Sequence, residues 1–304
     1  MQRAVILGGS GFIGRWLTAA LLARGTEVVV VDRDRPADAR AHWVEADARE
    51  PEAMGKTFRP NDVVVHLIHS SIPAESVDNP GVELAENVEP YARLLAGLGE
   101  IPIKLLVYSS TGGQIYGEPE VYPIPESHPQ RPLSEYGRAK AAMEELTRAF
   151  GAARGVPWLI LRVANPYGPH QERTNRHGVV PHLFRAIIQD RPFTVYGGGK
   201  TVRDYLYVED AAEAVVRLIA AGARDTAVNI GSGRGIALSG LIALAERVSG
   251  GKVRLVEAPR RAFDVTVNVL DISLLGKLTG FTPGVTLEDG LARTWEHMKK
   301  HEEA

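Results

Sequence analysis

Tyr136 and Lys140 stand four residues apart in a stretch patterned as a helix, so their side chains share one face. A phenol titrates at about 10 when unperturbed and needs positive charge close by to act as a base near neutrality. Lys140 supplies one cation, and an oxidised nicotinamide ring would supply another. Thr111 closes the run Tyr108-Ser109-Ser110-Thr111 and adds a hydroxyl that can share the proton path. Such a trio suits oxidation and reduction at an alcohol carbon. Tyr-x-x-x-Lys alone is common on helices, and the chain ahead of it is what gives it meaning.

That chain opens on a nucleotide signal. Residues 4–7 are apolar and are expected to be a buried strand rather than a secretion leader, because glycines follow at once. Gly8-Gly9-Ser10-Gly11-Phe12-Ile13-Gly14 comes next, then a helical pattern over 12–24 and an apolar strand over 26–31 ended by Asp32. Strand, glycine turn, helix, strand and acid make up a dinucleotide-binding unit. Gly8, Gly11 and Gly14, with Phe12 and Ile13 between them, are therefore cofactor candidates. Their backbone lets a pyrophosphate approach the helix N-terminus. Asp32 can bond both ribose hydroxyls of NAD and repel the 2′-phosphate of NADP. Arg33 beside it could cover such a phosphate, so NAD is favoured and NADP stays open. Asp47, followed by Ala48, is placed either to meet an adenine amino group or to cap a helix. Both readings stand.

The elements that must position these residues alternate. Strands are expected at 43–46, 62–67, 103–109 and 157–163, with helices near 50–57, 82–98 and 134–154. That order argues an α/β fold with a doubly wound parallel sheet, whose ligands lie at the strands' carboxyl ends. Residues 1–166 read as the cofactor-binding domain, with 204–230 returning to it. Residues 167–304 read mainly as a smaller, interleaved substrate lobe. It has strands at 201–208, 227–230 and 252–257 and helices near 179–190, 209–222, 238–248, 271–279 and 286–300. His66 and His69 are three apart at a strand end, which points them to opposite faces and argues against a metal pair. His66 reads as packing. Leu67 and His69 read as cofactor-lining, with an outward-facing His69 as the alternative.

Composition narrows the partners. Among 304 residues, 35 Lys plus Arg against 37 Asp plus Glu leave a net charge of −2, and no basic tract suits a nucleic acid. There is no cysteine, which excludes disulfides and thiolate zinc sites and accords with a reducing, cytoplasmic setting. No apolar run approaches a membrane span.

With these pieces in order, the chain resembles the extended short-chain dehydrogenase/reductase family, in its nucleotide-sugar epimerase branch. The matching motifs cover nearly the whole length. They are Gly8-x-x-Gly11-x-x-Gly14, Asp32, Ser109-Ser110-Thr111, Tyr136-x-x-x-Lys140, Asn165-Pro166-Tyr167-Gly168-Pro169, Tyr196-Gly197-x-Gly199, Arg203-Asp204-Tyr205 and Asn229-Ile230-Gly231. The resemblance implies a Rossmann fold, NAD as cofactor and a UDP-sugar as substrate. It implies that Tyr136 is the catalytic base, that Lys140 also holds the nicotinamide ribose, and that Thr111 stands at the family's catalytic Ser/Thr position. It further implies that Asn165 faces the sugar diphosphate and that Val180 and Tyr196 lie at the uracil. Arg203 would fork the diphosphate, joined by Arg260 or Arg261, and a homodimer would form through the helices near 82–98 and 134–154. Two departures stand out. Relatives have small residues where His69 lies, and Arg260-Arg261-Ala262-Phe263-Asp264 differs from the usual Arg-Pro-Gly-acid run.

The residues after Thr111 choose among reactions. A 4,6-dehydratase of this family carries an Asp-Glu pair there, and a decarboxylase tends to carry a Glu. Gly112 and Gly113 supply neither and are expected to leave room for a sugar ring to turn. The expected reaction is therefore 4-epimerisation of the UDP-glucose/UDP-galactose type through a 4-keto sugar. The alternatives are a reductase, dehydrogenase or decarboxylase of the same family and, outside enzymes, an NAD(P)-sensing binding module.

Overall fold

The computed structural model describes residues 2–47, 49–50, 54, 56–71, 80–171, 178–261 and 264–302. Apolar runs rich in β-branched residues fold into a seven-stranded sheet. Its first six strands in the chain are Arg3–Leu7 (β1), Glu27–Asp32 (β2), His42–Glu45 (β3), Val63–His66 (β4), Leu105–Thr111 (β5) and Trp158–Val163 (β6). The seventh is Thr226–Ile230, and the spatial order runs from it through β6, β5, β4, β1 and β2 to β3. Every pairing is parallel. A parallel sheet is covered on both faces, which is why Val28, Val29, Val30 and Val31 are all buried in an unbroken run.

Two helical layers cover it. Helix Phe12–Leu22 (α1) and helix Val208–Ala220 pack together on one face, sharing a core with Leu17, Leu21, Val215 and Leu218. On the other face lie helix Glu89–Leu98 and helix Glu135–Arg154, which bury Tyr91, Leu94, Met143 and Phe150. The chain passes from β3 at one edge back to β4 beside β1, so a crevice opens at the carboxyl ends of β1 and β4.

The expected elements recur with ends shifted by a residue or two. Of the helix expected near 50–57, residues 51–53 and 55 lie outside the described residues. The helix expected over 82–98 begins at Pro80, and a π-turn over Leu84–Val88 interrupts it. Four short strands were not expected: Asn165–Tyr167, Pro192–Tyr196, Gly235–Ala237 and Val267–Asn268. Pro192–Tyr196 pairs with Arg254–Ala258, and the other three belong to a small sheet built on strand Val202–Tyr207. Around it, helices Val179–Ile188, Leu238–Ser249 and Leu287–Glu302 form a separate apolar core with Phe184, Leu241 and Leu291.

Asp204 ties this lobe to the loop after the seventh strand. Fully buried, its carboxylate accepts from Ser232 N and Oγ at 2.8 and 2.6 Å, Gly233 N at 3.1 Å and Leu270 N at 3.3 Å. Burial pushes this carboxyl upward, and the four donors oppose that. Asn229 makes a second tie, its amide donating to the carbonyls of Ile124 and Asp271.

Candidate active site

The glycine turn between β1 and α1 is built for close approach. Gly8 adopts φ +85°, and a Cβ on Gly14 would sit 2.1 Å from the Gly8 carbonyl oxygen. Only glycine fits there, so the strand end and the start of α1 close together. No side chain caps α1 at Gly11, which leaves the first N–H groups of α1 open to an anion. At the end of β2, the Asp32 carboxylate accepts from Ser10 N at 3.0 Å and Asp34 N at 3.2 Å. Burial pushes its pKa up, and those bonds oppose it. A carboxylate held beside a sterically obligatory glycine turn fits an adenosine ribose and pyrophosphate, so these residues suit a dinucleotide. Arg33 leans the other way, 4.0 Å from Asp47. Asp47 itself is taken up by Arg49, whose guanidinium and backbone N–H both reach its carboxylate. That pairing holds Asp47 down at about 2. Asp47 thus closes a local turn with Arg49 and Glu50, and Ala48 lies outside the described residues.

Leu67 continues β4, its N–H donating to Leu7 O at 3.0 Å. His66 is buried edge-on against Tyr91, with ring centroids 4.7 Å apart. Burial, then the charge of Lys140, pulls His66 down to about 3, so it packs as a neutral ring. His69 does not face outward. Its side chain is 8% exposed and its ring lies edge-on to Tyr136 at 4.7 Å.

Helix Glu135–Arg154 starts where Ser134 caps it, accepting from Gly137 N at 3.1 Å. It ends at Gly155 in the left-handed region. Between these stops the helical repeat aims Tyr136 and Lys140 at the end of β5. Lys140 Nζ donates to Ser109 O at 2.9 Å and lies 5.8 Å from the centre of the Tyr136 ring. Burial lowers Lys140 to about 7, against the pull of Glu83 and Glu144. Burial and then Glu83 push the Tyr136 phenol up, while a hydrogen bond with Thr111 pulls it down. Thr111 Oγ1 also accepts from Gly113 N at 3.2 Å. A phenol, a hydroxyl and an ammonium therefore meet in one place, and they can move a proton on and off an alcohol.

The two glycines after Thr111 differ. A Cβ on Gly112 would strike Leu270 at 2.5 Å and the Arg162 carbonyl at 3.0 Å, so Gly112 is a packing residue and makes no room for a sugar. A Cβ on Gly113 would stand 3.8 Å from both Asn165 Oδ1 and Thr111 Oγ1, which places Gly113 at the open side of the trio. Asn165 Nδ2 donates to the carbonyl of Asp204 at 2.9 Å, which leaves Oδ1 toward Gly113. Across the lobe, the Arg261 guanidinium lies 4.4 Å over the Tyr196 ring and makes a paired contact with Asp264. Burial pulls Arg203 down, with Asp264 opposing. Arg260 is exposed and donates to the Asp264 carbonyl at 2.6 Å. Val180 spends its side chain on the lobe's core, 1% exposed, and offers a ligand only its backbone.

With that geometry in view, residues 4–231 match the NAD dependent epimerase/dehydratase family. The chain belongs to that family. The UDP-glucose 4-epimerase of Lacticaseibacillus casei is 31% identical over 322 residues, spanning 98% of this chain and 97% of that one. Among solved structures, the UDP-glucose 4-epimerase of Thermotoga maritima with UDP-glucose superposes with a TM-score of 0.90 at 32% identity, covering 99% of this chain and 100% of that one. The Thermus thermophilus UDP-glucose 4-epimerase in complex with NAD gives 0.89 at 31%, with 98% and 99% covered.

This family member holds three buried charged residues near the site that its motifs do not mark: Glu83, Glu144 and Arg162. Glu144 is fully buried one turn beyond Lys140 and takes Arg162 Nε at 3.0 Å and its Nη2 at 2.8 Å. The spacing from Lys140 to Glu144 was a usable signal, since both lie on the face turned to the sheet. Glu83 was not findable that way. It comes from a short helix distant in sequence, and nothing local ties it to Tyr136. No helix among the described residues is long and apolar enough to cross a membrane.

Proposed function

We propose that this chain interconverts the C4 epimers of a UDP-sugar of the UDP-glucose/UDP-galactose type, with NAD as resident cofactor. The observation that carries this reading is the meeting of Thr111, Tyr136 and Lys140 at the carboxyl end of β5, beside a Gly113 that brings neither acid nor base. NAD, held by the Gly8–Gly14 turn and Asp32, supplies a two-electron oxidation and its reversal. Tyr136 takes the proton of the sugar's 4-hydroxyl on its phenol oxygen and later returns it to the epimeric alcohol, so no net proton is consumed. Lys140 favours the phenolate by charge and holds ribose hydroxyls. The Thr111 hydroxyl orients the 4-oxygen. Arg203 and Arg261 bind the diphosphate, with Tyr196 at the base, while Asn165 and Gly113 border the turning sugar.

Two further parts belong to this reading. A homodimer through the helical stretch 80–98 and helix Glu135–Arg154 is supported by Leu84, left 55% exposed there. A cytoplasmic setting accords with a chain that has no cysteine.

The test is to incubate the protein with UDP-glucose or UDP-galactose and resolve the products, with Tyr136→Phe in parallel. Interconversion by the wild type without accumulation of reduced cofactor is expected, with a loss of at least about 100-fold in the variant. A Tyr136→Phe protein as fast as wild type overturns the reading. Stoichiometric reduced cofactor points instead to a dehydrogenase.

A further inference from the structure

Beside the Tyr136 ring lies a second ionisable pair that the reaction above does not use. His69 Nε2 is 3.0 Å from Glu83 Oε2, and the two side chains are 8% and 4% exposed. A carboxylate only accepts, so Nε2 carries the proton. Glu83 is held on its other side as well. Ser71 Oγ donates to Oε1, and Asn87 Nδ2 donates to Oε2 at 3.1 Å. Asn87 is fixed in turn by Ser70 N, which donates to its Oδ1 at 2.8 Å. Burial alone would raise the Glu83 carboxyl, but these bonds, His69 first, bring it down, so it is charged.

The carboxylate is thus anchored by the loop after β4 and by the π-turn over Leu84–Val88, a helix irregularity that favours functional sites. From that position it acts on both Tyr136 and Lys140. Left bare, a negative charge there opposes formation of the phenolate the chemistry needs. The His69 ring stands against Tyr136, edge to face at 79°. It therefore does two things at once. It buttresses the phenol ring, and its N–H offsets the charge of Glu83.

We propose that His69 and Glu83 are a positioning pair for Tyr136, the imidazole fixing the phenol ring edge-on and masking the carboxylate from it. This rests on Tyr136 being the base. The other groups facing the pair and the phenol are His66 at the end of β4, Tyr108 and Thr111 on β5, and Glu135, Lys140 and Glu144 on helix Glu135–Arg154. They are common to every variant below, so differences between variants belong to the pair.

The experiment follows the pH dependence of kcat in the NAD-loaded protein, together with ultraviolet difference titration of its phenolate, using Tyr136→Phe to identify that signal. His69→Ala removes the ring and the N–H. His69→Phe keeps an edge contact without the N–H and serves where the alanine protein fails to fold. In either variant, the limb on which activity rises with pH should move up by about one pH unit, and the phenolate titration with it. In a Glu83→Gln background, the same change at His69 should move neither. Coincident wild-type and His69→Phe titrations overturn the pair, as does an equal shift with and without Glu83. A Tyr136→Phe protein that remains active overturns the base assignment instead, which separates the two failures.

Discussion

The Lys140 ammonium lies 5.8 Å from the centre of the Tyr136 ring and 2.9 Å from the Ser109 carbonyl, buried where a charge is costly. Burial lowers its pKa from 10.5 to about 7. Between those values the unfolded chain binds the proton that the folded one has lost, so this group makes stability rise with pH across that window. Lys140→Met should therefore melt at least about 3 °C above wild type at pH 7 in the cofactor-free protein, with the gap closing toward pH 10.5. Its turnover should fall by at least about 100-fold. Calorimetry across pH and a product assay check both halves. A variant that is less stable at pH 7 contradicts the burial argument.

Asp32 gives the second expectation. Its carboxylate already accepts two backbone N–H groups, from Ser10 and Asp34, and is held at the end of β2. Both oxygens still have lone pairs for ribose hydroxyls. Asp32→Ala should weaken NAD binding by about 10-fold or more, the worth of one charged hydrogen bond. It should also narrow the gap to NADP, because the repelling charge has gone while Arg33 remains. Titration calorimetry with each cofactor reads this directly, and an unchanged NAD/NADP ratio contradicts it.

Tyr136 and Lys140 were legible in the sequence because a helix turns spacing into direction. Gly8, Gly11, Gly14 and Asp32 were legible because a strand–turn–helix–strand unit has a short-range signature. The parallel, doubly wound character of the sheet followed from alternation. The pairing of His69 with Glu83 was not legible, because it joins the loop after β4 to the short helix Pro80–Glu83 and depends on a π-turn with no sequence signature of its own. The same reason hid Asp204, which reads as part of an Arg-Asp-Tyr motif but is fully buried and spent on Ser232, Gly233 and Leu270. Residue type showed what Gly112 and Gly113 lack. Only packing showed that they face different neighbours.

Glu144 and Arg162 join helix Glu135–Arg154 to β6 by two bonds at 3.0 and 2.8 Å, with Tyr116 accepting a third from Arg162 at 3.0 Å. Truncating one partner strands the other charge inside. Glu144→Ala should cost about 3–5 kcal/mol in urea unfolding. Glu144→Met with Arg162→Met should cost much less, since no uncompensated charge is left. If single and double variants lose the same amount, the ion pair is not what holds the helix to the strand.

Gly112 and Gly113 allow stability and turnover to be separated at adjacent positions. A methyl at 112 meets Leu270 Cδ1 at 2.5 Å and backbone oxygen of Arg162 at 3.0 Å, and the backbone cannot yield as a side chain can. Gly112→Ala should lose about 1–3 kcal/mol of stability through overpacking. A methyl at 113 meets nothing closer than 3.8 Å, so Gly113→Ala should fold as wild type does. It would stand between Thr111 Oγ1 and Asn165 Oδ1, on the side where the sugar ring must turn. Its kcat for interconversion should fall more than its affinity for UDP, because the nucleotide is bound elsewhere and only the turning sugar is obstructed. Thermal melts, UDP titration and product assays on the two variants decide this. Equal melting temperatures would contradict the packing role of Gly112, and a Gly113→Ala enzyme with wild-type kcat would remove Gly113 from the sugar's path.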